Sequence, residues 1–165
     1  MKGLFELMEP ATPVDFSGLA ALARRLAVHH GDAFEPSAEA LQADYGTWYR
    51  AVLARSADGA VVGFVGWHPI YWIQSAGRAI ELQNLFVDPE WRNRKVGLAL
   101  VRHVAFVSLN SSAAALRIGV RKDNDIAISF YDKIGCTRHD RGANWVCRLD
   151  TDQMRKLVNE IDCGT

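Results

Sequence analysis

The sequence contains few cysteines, no long apolar run and no excess of either charge. Its three cysteines, Cys136, Cys147 and Cys163, are odd in number and show no CxxC spacing, which predicts reduced thiols rather than a disulfide framework. No apolar run approaches the roughly 20 residues that cross a bilayer. Glu6 and Glu9 interrupt the segment where a signal peptide needs an apolar core. We therefore expect a cytoplasmic protein without a membrane-inserted segment.

Charge and length narrow the class of protein further. The 19 basic and 19 acidic side chains cancel, so the chain has no overall field that would draw it to nucleic acid or to an anionic membrane. The spacing of histidine, cysteine and carboxylate residues does not suggest a metal site either. A length of 165 residues fits one domain with a sizeable core, so we expect a single domain over residues 1–165.

The periodicity of the apolar residues predicts elements in the order α-α-β-β-β-α-β-α-β-α. Thr12 and Pro13 mark the start of the first helix, which is expected to end near Gly31. Antiparallel hairpins come first and β-α-β crossovers follow, which predicts a mixed α/β sheet with a parallel strand pair near its middle. After a second short helix over 36–41, the predicted elements are strands 48–56, 60–72 and 78–88, a helix 96–110, a strand 115–122, a helix 124–135, a strand 144–150 and a last helix capped by Thr151.

The segment from Arg92 to Gly97 follows a predicted strand and opens a predicted helix. The first N–H groups of a helix lack internal partners, so they are available to an anion. Gly97 permits close approach of the backbone, and Arg92, Arg94 and Lys95 add positive charge to an otherwise neutral chain. This combination is typical of a pyrophosphate site, and the alternative is a solvated basic turn that only leads into the helix.

Two segments together resemble the GNAT superfamily of N-acetyltransferases. They are LFVDPEWRNRKVGLAL, residues 85–100, and NDIAISFYDKIGC, residues 124–136, within a likeness that covers roughly residues 60–150. The resemblance implies a GNAT-like α/β fold (α+β), which is a mixed, mostly antiparallel sheet with a central splayed parallel strand pair and helices on both faces. It also implies acetyl-CoA as the cofactor and a homodimer as the assembly.

The family's acetyl-CoA loop has the pattern Arg/Gln-x-x-Gly-x-Gly/Ala, which maps onto Arg92-x-x-Lys95-x-Gly97. Lys95 therefore stands where the family pattern has a glycine. Because the family's loop binds mainly through backbone amides, which lysine also has, the question is whether Lys95 adopts a helical or a glycine-like φ. The cofactor-binding positions that the resemblance implies are Leu85, Phe86, Val87, Arg92, Asn93, Arg94, Lys95, Val96, Gly97, Leu98, Asn124 and Phe130.

Acetyl transfer to an amine calls for a base and an acid. An alkylamine has a pKa of about 10 and is a cation at neutral pH, so a base must remove its proton, and the leaving thiolate gains from a proton donor. Tyr131 matches the tyrosine that protonates the leaving sulfur in the family, and its alternative role is a core aromatic. Glu81 matches the base of histone-type members, and its alternative role is an ordinary strand carboxylate. Other candidate bases are His29, His30, His68 and His139.

Within the superfamily the chain is most similar to the diamine (spermidine/spermine-type) acetyltransferase branch, which holds its cationic substrate with carboxylates. At the positions of those carboxylates this chain has His30, Gln83, Asn84 and Ala143. Trp145 also matches the branch, and the substrate residues that the resemblance implies are His30, Gln83, Asn84 and Trp145. The loss of negative charge argues against a polyamine, because ammonium groups need anionic partners. We expect the acceptor to be a primary amine of an unidentified small molecule. The acetyl group is expected to pass to it directly, in a ternary complex. The alternatives are a protein or peptide amine and a non-catalytic acyl-CoA-binding domain.

Overall fold

The computed structural model describes residues 4–160, so Cys163 lies outside the described residues. The first helix begins and ends as predicted, because Thr12 and Asp15 form a capping box and Gly31 ends the helix with a left-handed φ of 80°. The helices are α1 (Pro13–His30), α2 (Ala38–Asp44), α3 (Val96–Asn110), α4 (Asp125–Lys133) and α5 (Thr151–Asn159), and the strands are β1 (Phe5–Met8), β2 (Arg50–Ser56), β3 (Val61–Trp72), β4 (Gly77–Val87), β5 (Ala115–Arg121), β6 (Thr137–Arg141) and β7 (Asn144–Asp150).

The strands of the described chain form a sheet in the order β1-β2-β3-β4-β5-β7-β6. The pairs β1–β2, β2–β3, β5–β7 and β6–β7 are antiparallel, whereas β4 and β5 are parallel. The paired register of the parallel strands ends at Leu82–Ile118, and β4 continues to Val87 and β5 to Arg121. The predicted mixed, mostly antiparallel sheet with a parallel strand pair is therefore confirmed.

Two strands and one helix cap differ from the prediction. The strand β1 has only four residues, and β6, with the sequence TRHDR, is exposed along its whole length, so neither has the alternation of buried and exposed residues that signals a strand. The prediction that Thr151 caps the last helix is wrong. Asp150 is the N-cap, because its carboxylate accepts from the Gln153 backbone N–H at 2.9 Å and its own N–H donates to the Gln153 side chain at 2.8 Å.

The chain divides into two compact units. The first contains the residues up to Trp67 together with Asn84–Val101, and the second contains His68–Gln83 together with the residues from Arg102 onward. The strands β3 and β4 and the helix α3 therefore contribute residues to both units. The single domain expected over residues 1–165 stays a prediction.

In the first unit, helices cover both faces of the sheet. On one face, Phe16 and Leu19 of α1 pack in a buried cluster with Leu53 and Phe64 of the sheet. Gly63 precedes Phe64 on β3 and faces the other way, and a Cβ there would lie 3.2 Å from Cγ1 of Val96 at the start of α3. This close packing fixes the helix start, because any side chain at Gly63 would displace Val96.

In the second unit, one face of the sheet is apolar and the other is basic. The helix α5 contacts β5 and β7 and buries Met154 and Leu157. Arg102 of α3 donates to the carbonyl of Leu157 at 3.0 Å and to that of Glu160 at 2.8 Å, which satisfies carbonyls at the end of α5. The buried face of β5 and β7 carries apolar side chains, namely Leu116, Ile118, Val120, Cys147 and Leu149. The residues that alternate with them form the opposite face, namely Arg117, Gly119, Arg121, Val146 and Arg148.

Candidate functional site

The loop that joins β4 to α3 is held to α1 by an ion pair. The carboxylate of Asp88 binds the guanidinium of Arg25, with a distance of 3.3 Å from Nη2 to Oδ1. This hydrogen bond from Arg25 lowers the pKa of Asp88 below its ordinary value. Nε of Arg92 donates to the carbonyl of Val87 at 3.2 Å. The basic loop therefore starts from a strand end that is fixed on two sides.

The backbone of this loop turns through left-handed conformations. Asn93 has a φ of 59° and Lys95 a φ of 63°, so Lys95 adopts the glycine-like conformation and not the right-handed helical one. The carbonyl of Lys95 accepts from the N–H of Ala99 at 3.0 Å. This hydrogen bond has the i to i+4 spacing of a helix, so Lys95 directly precedes the first turn of α3. Left-handed residues within such a loop help to turn successive N–H groups toward one side, as in anion-binding nests.

The exposed part of the loop is positively charged, and its following residue is anchored in the core. Asn93, Arg94 and Lys95 are exposed, and the guanidinium of Arg94 lies 5.1 Å from the centre of the Trp91 ring. Val96 is 1% exposed. The N–H groups of the first turn of α3 are thus offered beside basic side chains on a helix that cannot shift without disturbing the core.

The other predicted positions of the first unit differ in what they can offer to a ligand. Phe86 is 6% exposed and packs in the cluster with α1, so its side chain serves the core and only its backbone is available. His30 is half-buried in the last turn of α1, with its ring 5.8 Å from that of His29. Asn84 is exposed. Leu85, Val87, Gly97 and Leu98 are partly exposed.

In the second unit, α4 carries the predicted asparagine and tyrosine. The side chain of Asn124 accepts from the N–H of Ala127 at 3.1 Å, so Asn124 caps the helix. Tyr131 is 4% exposed, and its ring meets that of Phe130 edge-on at 5.2 Å. The carbonyl of Tyr131 accepts from the N–H of Cys136 at 3.1 Å. Tyr131 therefore has a fixed position on a capped helix.

Burial determines the protonation state of Tyr131. Loss of solvent raises its pKa well above the ordinary value, and the neighbouring Cys136 and Cys147 act in the same direction. The phenol is therefore protonated throughout the physiological pH range. This is compatible with both predicted roles, because a core aromatic and a proton donor each keep the hydroxyl neutral.

Glu81 is paired with an arginine that the sequence analysis did not single out. In the register of β4 and β5, Glu81 lies beside Arg117, and its Oε2 atom is 3.5 Å from Nη1 of Arg117. The guanidinium of Arg117 also lies 5.7 Å from the centre of the Trp72 ring. A carboxylate in this position belongs to an ion pair, and its role as a base stays a prediction.

The two predicted substrate residues of the second unit differ in their surroundings. Gln83 is exposed and follows Leu82, the last β4 residue in the register with β5. Trp145 of β7 is partly buried, with Nζ of Lys122 at 4.7 Å and the guanidinium of Arg138 at 5.3 Å from its ring centre. Because this ring already contacts two cations of its own chain, it is poorly suited to bind a substrate ammonium group. The exposed amide of Gln83 is better placed to make a polar contact with a substrate.

The described cysteines are protonated thiols. Cys136 is half-buried and Cys147 is buried, and loss of solvent raises the pKa of Cys136 to about 12 and also raises the pKa of Cys147. A thiol of this kind is a poor nucleophile at neutral pH, so neither residue is suited to carry an acyl group.

Residues 4–160 contain no group of three or more histidine, cysteine and carboxylate side chains that could hold a metal ion. No helix in the described part of the chain has the length and apolar character needed to span a bilayer.

Comparison with known proteins identifies the class. A sequence profile described as the Acetyltransferase (GNAT) family matches residues 18–136. The chain belongs to this family and is an N-acetyltransferase by its membership and relatives. The family predicted from residues 85–100 and 124–136 is therefore confirmed.

A full-length relative defines the branch. The chain is 30% identical over 168 aligned residues to a thialysine N-epsilon-acetyltransferase of Bos taurus, an alignment that covers 94% of this chain and 99% of the relative. This relative belongs to the diamine acetyltransferase branch, so the predicted branch is confirmed as well.

Solved structures confirm the fold. The PaiA N-acetyltransferase of Thermoplasma acidophilum, in complex with coenzyme A, is similar with a TM-score of 0.66 at 20% identity, covering 88% of this chain and 98% of that one. The YncA protein of Salmonella typhimurium, with acetyl-CoA, is similar with a TM-score of 0.72 at 14% identity, covering 90% of this chain and 94% of that one. Together with the family match, these complexes support acetyl-CoA as the predicted cofactor.

Proposed function

We propose that this protein transfers the acetyl group of acetyl-CoA directly to a primary amine of a small molecule, within a ternary complex. The observation that carries the proposal is the basic loop before α3, in which Asn93 and Lys95 are left-handed. Such a loop suits an anion, because its N–H groups and the start of the helix supply partial positive charge. Because the chain belongs to the GNAT family, the anion that we propose for this loop is the pyrophosphate of CoA.

The residues present fit this ligand. Lys95 keeps a backbone N–H in the position where the family pattern has glycine, and its φ of 63° is one that glycine adopts without strain. Gly97 lies in the first turn of α3 with no Cβ beside the N–H groups, and Arg92, Arg94 and Lys95 add charge. Acetyl-CoA supplies the thioester that is the acetyl donor.

Tyr131 is proposed as the proton donor for the leaving sulfur. Its hydroxyl is held neutral by burial, and its helix is fixed at the start by the cap of Asn124. The neutral hydroxyl carries the proton that the leaving thiolate needs, and since burial makes this phenol a weaker acid than free tyrosine, its donation depends on the hydroxyl lying next to the sulfur.

Glu81 is proposed as the group that accepts the proton of the amine, directly or through water. Arg117 holds the carboxylate at 3.5 Å, so the side chain has a fixed position on β4. A backbone N–H near Val87 is proposed to bind the carbonyl oxygen of the acetyl group as negative charge develops there.

The acceptor is proposed to be a small amine other than a polyamine. Gln83 and Asn84 of β4 are neutral and exposed, and two or more separated ammonium groups would need anionic partners that these side chains do not supply. The cattle relative is named for the ε-amine of thialysine. Thialysine and lysine are therefore the first acceptors to test.

The proposal is tested by thiol release from acetyl-CoA across a panel of amines, with reactions lacking amine as the control. We expect release that depends on both the enzyme and the amine, and acetylated product detected by mass spectrometry. Tight CoA binding by calorimetry with no turnover on any amine would instead favour a binding domain. The homodimer is likewise a proposal, which light scattering tests.

A further inference from the structure

We infer that Trp145 is a positioning residue, whose indole ring holds α4 in place so that the hydroxyl of Tyr131 stays where the leaving sulfur needs a proton. The inference rests on the proposed role of Tyr131 as the proton donor. It assigns Trp145 a task inside the fold, whereas the family resemblance implied a contact with the acceptor.

The sheet register places Trp145 on the side of the sheet that Tyr131 occupies. Trp145 of β7 lies opposite Val120 of β5, which is buried. Cys147 is two residues further along β7 and also buried, so its side chain points to the same face as the indole. Tyr131 has Cys147 as an electrostatic neighbour. The phenol and the indole therefore share one face of β7.

The proposed base lies on the other face. Glu81 is the register neighbour of Arg117, which in turn is opposite Arg148 of β7. Arg148 is three residues from Trp145, so their two side chains point to opposite faces of the strand. The sheet thus separates the indole from an amine that gives its proton directly to Glu81. This separation argues against a contact between Trp145 and the acceptor.

Two cations beside the indole connect it to both ends of α4. Nζ of Lys122 is 4.7 Å from the ring centre, and Lys122 comes two residues before the Asn124 cap. The guanidinium of Arg138 is 5.3 Å from the same centre. Nε of Arg138 also lies 3.1 Å from Oδ1 of Asp132, the residue after Tyr131. Since both cations are attracted to the π face of one ring, the ring joins the start of the helix to its end.

The charges around the indole are balanced within the chain. Asp140 of β6 is directly opposite Trp145, and its carboxylate accepts from Nζ of Lys122 at 2.7 Å. Asp132 balances Arg138 in the same way. The two carboxylates keep both cations near the ring and offset their mutual repulsion. Two positive and two negative side chains therefore form a neutral group that needs no ligand to balance it.

The position of α4 matters because proton donation requires contact. The buried phenol of Tyr131 is a weak acid, so its proton reaches the sulfur only when the hydroxyl lies within hydrogen-bond distance. A displacement of about 1 Å can lower a rate by about 100-fold, even when the mutation is far from the reacting atoms. Loosening α4 should therefore reduce kcat and leave the contacts that hold the acceptor unchanged.

Steady-state kinetics with thialysine as the acceptor separate the two roles of Trp145. Trp145→Leu removes the π face and should lower kcat about 10-fold, with the KM for thialysine within about two-fold of the wild type. Trp145→Phe keeps an aromatic ring and should retain most of kcat. Trp48→Leu is the matched control, because Trp48 is 74% exposed, and it should change neither constant. A raised KM for thialysine at an unchanged kcat would overturn the inference.

A double-mutant cycle shows whether the loss passes through the phenol. In the Tyr131→Phe background, Trp145→Leu should change kcat by less than about two-fold, because the hydroxyl that it positions is already gone. An equal loss in both backgrounds overturns the inference. Asp132→Asn keeps the indole and breaks the link at the end of α4, so it should fold and give a smaller loss with the same dependence on Tyr131. Asp152→Asn removes an exposed ion pair of α5 and is its control.

Amide hydrogen exchange tests the position of the helix without turnover. Trp145→Leu should speed exchange in α4 and leave exchange in α5 as in the wild type. Unchanged exchange in α4 overturns the inference. This measurement also separates the inference from the proposed function. If Tyr131→Phe leaves kcat unchanged, the proposed proton donor is refuted, whereas faster exchange in α4 still supports Trp145 as the residue that positions this helix.

Discussion

Replacing Lys95 by glycine tests the left-handed conformation of the basic loop. A left-handed φ costs an L residue about 1–2 kcal/mol, and glycine avoids this cost. The larger conformational freedom of glycine in the unfolded chain offsets about 0.5–1 kcal/mol of that gain. Since Lys95 has a φ of 63°, we expect Lys95→Gly to raise the free energy of unfolding by about 0.5–1 kcal/mol. For a chain of this size that corresponds to a rise in Tm of about 1–4 °C.

The matched control is Lys95→Ala, which removes the same side chain and keeps the backbone penalty. Any contact of the lysine side chain is lost equally in both variants, so their difference in stability reports the backbone alone. The measurements are thermal unfolding by circular dichroism and urea denaturation at equal protein concentration. A glycine variant no more stable than the alanine variant would refute the assigned left-handed strain.

The same two variants show how the loop holds CoA. If binding uses the backbone N–H groups, both variants should bind CoA with affinities within a few-fold of each other. A common loss relative to the wild type then measures the contribution of the lysine ammonium group, and this loss should shrink at high salt. Calorimetry at low and high ionic strength provides both values.

Three further predictions concern the remaining site residues. Tyr131→Phe should lower kcat about 10-fold or more with CoA affinity nearly intact, and an unchanged kcat would remove Tyr131 from the mechanism. Glu81→Gln should flatten the alkaline-rising limb of the pH–rate profile, and an unaltered limb would assign the base to another group. Gly97→Val places a branched side chain beside the N–H groups of the loop and should block CoA binding. Normal affinity by calorimetry would contradict the proposal that the basic loop binds CoA.

Local signals predicted the fold well where structure depends on neighbouring residues. The first helix follows from the Thr12 cap and the Gly31 stop, both of which are features of a few adjacent residues. The strands β1 and β6 exist only because β2 and β7 offer them hydrogen bonds, and such pairing leaves no periodic signal in four or five residues. The cap of the last helix was misplaced by one residue because Asp150 and Thr151 are both good capping residues.

The candidate site could be proposed from residue types in the sequence, whereas its contacts could not. The pattern around Arg92 and Gly97 indicated a phosphate cradle, yet it left the φ of Lys95 open. The ion pair between Arg25 and Asp88 joins α1 to the loop across 63 positions of the chain. No pattern of neighbouring residues predicts a contact over such a separation. Alternation along β5 does separate Arg117 from its buried neighbours, so that signal was present, but only the sheet register places it beside Glu81.

The charged strand β6 also has a consequence for how this protein behaves at high concentration. It is the last strand of the sheet order, so one of its sides offers backbone groups that no strand within the sheet satisfies. An uncovered edge of this kind is a template on which further strands can grow into aggregates. Arg138, His139, Asp140 and Arg141 are exposed there, and hydrated charges resist such growth because a stacking strand would have to strip their water. The polarity that hid β6 from sequence analysis is thus also what suits it to end the sheet.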